Sequence, residues 1–163
     1  MILASFEKEF RNIYGTDYER SVEYKQIKED IIEELEILRG TNTGKSKKYI
    51  KEFIRYIEKT DSSYKDRLKA ALENHKKIMA IFIKKFYQED FKKAIGGISD
   101  RMGELRNNIA HNSLDVEYDA ILLSDIQIIE ILLYVMRLKN LGLSDELCKK
   151  AINNLFGLRL ALD

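Results

Sequence analysis

AILLSDIQIIEILLYVMRL, running from Ala120 to Leu138, is the stretch whose reading decides the fold. It is almost continuously apolar and about the length of a membrane span, yet Asp125, Gln127 and Glu130 interrupt it. A helix that is apolar on nearly every side, with a few polar breaks, belongs at the centre of a bundle rather than in a bilayer. The spacing therefore predicts a helix over 117–140, stopped by Gly142 and largely buried from Ile121 to Leu138.

Working outward, the neighbours read as one-sided helices that could cover it. On the C-terminal side, Ser144-Asp145-Glu146 supplies a cap and two acids suited to a helix dipole, so a last helix begins there. On the N-terminal side, residues 112–116 break the pattern, and before them Ile98, Met102, Leu105 and Ile109 repeat at three-four spacing, predicting a helix over roughly 98–111. Tyr64, Leu68, Ala71, Leu72, His75, Ile78, Met79, Phe82 and Phe86 form the longest periodic run, read as one core face. Thr60-Asp61-Ser62-Ser63 precedes it as turn and N-cap. Tyr49, Ile50, Phe53, Ile54 and Ile57 mark another helix. Tyr24, Ile27, Ile31, Leu35 and Leu38 mark one from about 17 to 39, with Gly40 at its C-terminal end. Ile2, Phe6 and Phe10 mark a first segment ending near Gly15. No strand alternation, internal repeat or interdomain linker is visible. The expectation is all-α: a bundle of five to seven helices in a single domain over 1–163.

Composition agrees. Proline is absent from all 163 residues, so nothing interrupts long helices. Hydrophobic residues at 45% and charged residues at 34% are ordinary for a globular chain and argue against disorder. A net charge of +1 provides no global basic field, so any nucleic acid must be held by a local patch. The single cysteine, Cys148, excludes an internal disulfide framework and a cysteine-based zinc cage, and reads as packing. Two histidines, one cysteine and scattered acids make no metal cage, so neither metal nor cofactor is expected. The N-terminus MILASFEKEF lacks a basic segment followed by an apolar stretch, and the reading is cytoplasmic, with no membrane partner.

Four features invite functional readings that the residues do not sustain. Gly40-Thr41-Asn42-Thr43-Gly44-Lys45-Ser46 looks like a phosphate-binding loop, but that cradle needs four residues between its glycines and a strand before it. Here there are three, after a helical pattern, so a helix–helix loop is expected. His75 sits on the apolar stripe with no second ligand nearby and reads as a core or half-buried histidine. Lysine pairs at 47–48, 76–77, 84–85 and 92–93 read chiefly as solvated faces, with contact to an RNA backbone left open. Asp100 and Glu104 share a helix face, but such pairs are common on solvated helices.

Arg106-Asn107-Asn108-Ile109-Ala110-His111 is different. Arg106, Asn107 and His111 lie off the stripe held by Met102, Leu105 and Ile109, where a polar trio can meet solvent or a partner. At about 100° per residue, Asn107 and His111 share a face, while Arg106 stands about 140° from His111. The two converge only if Arg106 bends round the helix or His111 sits at a frayed C-terminal end. Asn112-Ser113 favours the second.

The run from Leu105 to Asn112 resembles the signature of HEPN domains: Arg, a polar residue often Asn, then a few residues and His near a helix end. The following helix, ILLSDIQIIEILLYVMRLKNLGLSDE, resembles the helix after the motif in ApeA-like HEPN proteins, and SFEKEFRNIYG resembles the start of their helical region. The similarity is sharp over about 105–156 and looser over 6–91. Asn112 stands where the family often has Gly. Larger ApeA-like proteins carry a β-rich region before this helical part, so the chain reads as a free-standing domain or as the C-terminal part of a longer protein. The resemblance implies a helical bundle that dimerises so that two Arg–His motifs face one cleft. It also implies a metal-independent ribonuclease of antiphage, abortive-infection or toxin-like defence, with Arg106, Asn107 and His111 as catalytic residues. Expected partners are single-stranded RNA, a second copy of the chain, and a regulatory domain or antitoxin-like protein. The alternative is a non-catalytic HEPN domain that binds RNA, a nucleotide or a protein.

Overall fold

The computed structural model describes residues 2–15, 22–58, 63–111 and 119–162. Among these every regular element is an α-helix, eight in all: α1 (Ile2–Tyr14), α2 (Val22–Thr41), α3 (Gly44–Glu58), α4 (Tyr64–Asn74), α5 (Lys76–Phe86), α6 (Phe91–Ala110), α7 (Ala120–Asn140) and α8 (Asp145–Leu155). They group into two compact units, residues 17–62 and the rest of the chain.

The larger unit holds the core. α7 packs against α1, α5, α6 and α8, and α4 packs against α6 and α1. Ile128, Ile129, Ile131, Leu132, Val135 and Met136 of α7 are buried around the helix, as its apolar character requires. Ile121 and Leu123 in its first turn and Tyr134 on its outer side are exposed. Phe6 and Phe10 of α1, Leu68 and Leu72 of α4, Phe82 of α5 and Met102 of α6 complete the interior. No helix among the described residues is long and apolar enough to cross a membrane.

Eight helices replace the expected five to seven because the run over 64–86 is two helices, not one. The backbone leaves helical geometry at His75 (φ −102°, ψ 19°). The His75 N–H still reaches the Ala71 carbonyl, while the His75 carbonyl accepts from both Ile78 and Met79. Across the break α4 packs on α6 and α1, while α5 packs on α6, α7 and α8. Each start is capped as local chemistry dictates. Ser63 and Asp66 form a reciprocal capping box on α4, and the Asp90, Asp119 and Ser144 side chains accept from the first turns of α6, α7 and α8. The Asp90 cap starts α6 seven residues before the expected Ile98 and carries it through Gly96-Gly97. Gly142, in the left-handed region at φ +85°, ends α7, and the following Leu143 N–H bonds the Leu138 carbonyl.

The smaller unit is the hairpin of α2 and α3. α2 passes through Gly40 to Thr41, one step beyond the expected stop. The Thr41 hydroxyl and the Asn42 side-chain amide both donate to the Leu38 carbonyl (3.1 and 2.7 Å), satisfying an end carbonyl without a glycine cap. Only two residues then join the helices, so the glycine-rich stretch is a helix–helix connection.

Candidate active site

α6 positions the Arg106–His111 stretch. Ile98, Met102 and Leu105 are buried along one side, which turns the polar residues outward. Ile109, expected to continue that stripe, is instead 49% exposed. The helix ends at Ala110. His111 takes the cap position (φ −98°, ψ 12°), and its N–H bonds the Asn107 carbonyl at 3.0 Å. The imidazole thus stands at the helix end, as the following Asn-Ser suggested. His111 and Asn107 are exposed, and neither side chain has a hydrogen-bond partner among the described residues.

Arg106 does not turn toward His111. Its guanidinium faces Glu7 of α1, Nη2 to Oε1 at 3.6 Å, and the same oxygen accepts from Arg67 Nη2 of α4 at 3.2 Å. One carboxylate thus sits between two cations contributed by different helices. Arg67 is enclosed, with a buried Nε that has no hydrogen-bond partner among the described residues, and the same holds for the buried Tyr64 hydroxyl beside it. Burial, and next the nearby Glu7 charge, push the Tyr64 hydroxyl well above the ordinary phenol range. Arg106 remains 42% exposed, so its outer donors stay open to a ligand.

Glu7 and Arg67 were not singled out in the sequence, although a signal existed. Glu7 falls at the i+4 position from Leu3 and three before Phe10, on the buried stripe of α1. Arg67 falls three after Tyr64 and four before Ala71, on that of α4. Charges on core stripes mark places where a buried partner is required.

A second network locks α6 to α7. Asp125, wholly buried, accepts from Arg101 through Nε (2.6 Å) and Nη2 (2.9 Å), and the Tyr87 hydroxyl donates to the same carboxylate. Burial first, then the Asp125 bond, push the Tyr87 hydroxyl well above its ordinary range. The Asp125 bond holds Arg101 firmly cationic. Asp100 pairs with Lys65 of α4, the surface role expected for it. His75 is half-buried and hydrogen-bonded to the Tyr14 hydroxyl at 3.1 Å. Cys148 is buried, and that burial raises its thiol. Lys47 and Lys48 line a hollow of about 540 Å³ at the α2–α3 turn, together with Lys51, Arg39 and Glu36.

No protein-family model, curated protein or solved structure matches this chain. The case for function therefore rests on the residues themselves.

Proposed function

We propose that the chain is a metal-independent endoribonuclease of the HEPN type, acting on single-stranded RNA in cytoplasmic antiphage or toxin-like defence. A two-fold homodimer would complete its active site. The observation that carries this reading is the exposed end of α6, where His111 caps the helix, Asn107 lies one turn back and Arg106 keeps an open cationic face.

The chemistry follows from these side chains. RNA holds its own nucleophile, the 2′-hydroxyl. A neutral imidazole removes its proton as the 2′-oxygen bonds to phosphorus and the bond to the 5′-oxygen breaks. An imidazolium protonates the departing 5′-oxygen. Histidine serves both roles near neutral pH. Each chain carries one such residue at this end, so a second protomer brings the other. Arg106 would hold the phosphorane oxygens through its planar fork of donors, and Asn107 would orient His111 or the phosphate.

The test is cleavage of single-stranded RNA in EDTA, giving 2′,3′-cyclic phosphate ends and sparing DNA, which lacks the hydroxyl. Arg106→Ala and His111→Ala should each slow cleavage by about two orders of magnitude or more with helicity intact. Asn107→Ala should cost less. Wild-type protein at high concentration leaving a panel of RNAs intact, with and without magnesium, would refute the catalytic reading. One observation favours the alternative of a binding module: Arg106 is already engaged by Glu7, as a structural ion pair would be. That reading expects affinity without turnover.

A further inference from the structure

The α2–α3 hairpin carries apolar surface that its two helices do not cover. α2 buries none of its 20 residues, and α3 buries only Ile54 of its 15. On α2, Ile27, Ile31 and Leu38 are 52, 44 and 48% exposed; on α3, Tyr49, Phe53 and Tyr56 are 57, 58 and 71% exposed. At about 100° per residue each trio falls within about 60° of helix surface, so each forms a stripe. Ile32 and Leu35 of α2 and Ile50 and Ile54 of α3, all half-buried or buried, mark the sides that meet inside the hairpin. In both helices the exposed stripe lies about a quarter-turn from that side, in the same rotational sense. Antiparallel helices then bring the two stripes onto one broad face.

Size and charge indicate what covers that face. The exposed parts of these six side chains amount to roughly 700 Å² on one hairpin. Two facing copies would bury about 1,400 Å², inside the range of about 1,200–2,000 Å² for a specific, stable interface. α2 has six acids against three bases, a net charge of −3, and α3 has five bases against two acids, a net of +3. A copy related by a two-fold axis along the helices sets each α2 on the partner's α3, so opposite charges meet at both contacts. An axis across the helices would set acidic α2 on acidic α2, which the same charges oppose. On the outer edge of the face, exposed Asp30 and Glu34 of α2 stand within about one turn of level with exposed Lys48 and Arg55 of α3, counting back from the connection. Glu52 shares the α3 edge and leaves it net positive. An RNA strand fits less well. Lys47 and Lys51 stand on the far side of α3 from the three aromatics, away from the phosphates of any bases stacked there.

We infer that this face docks the same face of a second copy of the chain, each α2 lying on the partner's α3 in a four-helix bundle. The inference goes beyond the ribonuclease reading and does not rest on it. That reading asks for a second copy at the end of α6, whereas this one assigns an interface to the α2–α3 hairpin. Sedimentation equilibrium of the full chain at micromolar concentrations tests it. Phe53→Glu/Tyr56→Glu, at positions exposed in the single chain, should keep helicity and raise the dissociation constant at least about tenfold. The loss is one two-fold step: dimer to monomer, or tetramer to dimer if the α6 ends also pair. Asp30→Lys/Glu34→Lys and Lys48→Glu/Arg55→Glu should each weaken the same step. Mixing these two variants should restore it between them, because each α2 then meets an oppositely charged α3. Misfolded chains would not recover on mixing.

Wild-type protein still monomeric at about 100 μM, a mass indifferent to Phe53→Glu/Tyr56→Glu, or charge variants that fail to recover on mixing would overturn the inference. So would loss of RNA binding in filter assays with an unchanged mass, which would give the aromatic face to RNA. The two readings fail separately. An Arg106→Ala/His111→Ala protein should keep the hairpin step. Hairpin association without any RNA cleavage would sink the nuclease alone, and cleavage without hairpin association would sink this interface alone.

Discussion

Asp125→Ala is the substitution that most directly tests how α6 is held. The carboxylate has no exposed surface and accepts three hydrogen bonds, two from Arg101 and one from Tyr87. Its removal strands the Tyr87 hydroxyl in a part-buried setting, worth about 1–3 kcal/mol for an unsatisfied polar group. It also strips Arg101 of its counter-ion. A fully enclosed cation would add several kcal/mol. Arg101 is 39% exposed, however, and can turn to water, so that contribution is discounted to about 1 kcal/mol. The expected loss is about 2–4 kcal/mol, read as a lower urea midpoint with an unchanged slope in far-UV circular dichroism. Replacing the pair together, Asp125→Leu with Arg101→Met, should recover much of the loss, because matched apolar groups leave neither charge stranded. A destabilisation below about 0.5 kcal/mol for Asp125→Ala, the range of ordinary surface changes, would refute the reasoning.

The Glu7 ion pairs and the setting of His75 each carry a further expectation. Glu7→Gln should destabilise by about 1–2 kcal/mol in urea titrations, because enclosed Arg67 loses its charged acceptor. Arg106→Ala, removing only the longer and half-exposed contact, should stay within about 0.5 kcal/mol. Equal costs for the two would contradict the assignment of Glu7 to Arg67 first. Burial, and then Lys139, hold the His75 imidazole below its ordinary range, against a smaller opposing effect of Asp145. The unfolded chain thus binds the proton more readily, so the stabilising contribution is complete above about pH 6.5 and is lost as pH falls below it. His75→Gln should flatten that slope in thermal melts taken across the window. An unchanged slope would count against it.

Much of the fold was legible because burial imposes periodicity. Phe6 and Phe10, Leu68 and Leu72, and the apolar body of α7 are buried where three-four spacing places them, and Gly142 and Ser144 bound α7 and α8 through backbone chemistry that acts within a few residues. The position of His111 at a helix end was readable for the same local reason. What periodicity could not reveal was any interaction joining distant residues. The break at His75 leaves the apolar spacing continuous, yet across it the partners change, from α1 and α6 for α4 to α6, α7 and α8 for α5.

The same limit applies at the site. By itself the sequence determined an all-helical chain, a central α7 and a polar trio turned off the core of α6, because each depends on contacts within one helix. Only the tertiary structure decided that Arg106 faces Glu7, that Glu7 also holds Arg67, and that Asp125 clamps one edge of Arg101 while Nη1 lies against Gly97. Buried charge must find a partner, but which one it finds depends on how separate helices are brought side by side.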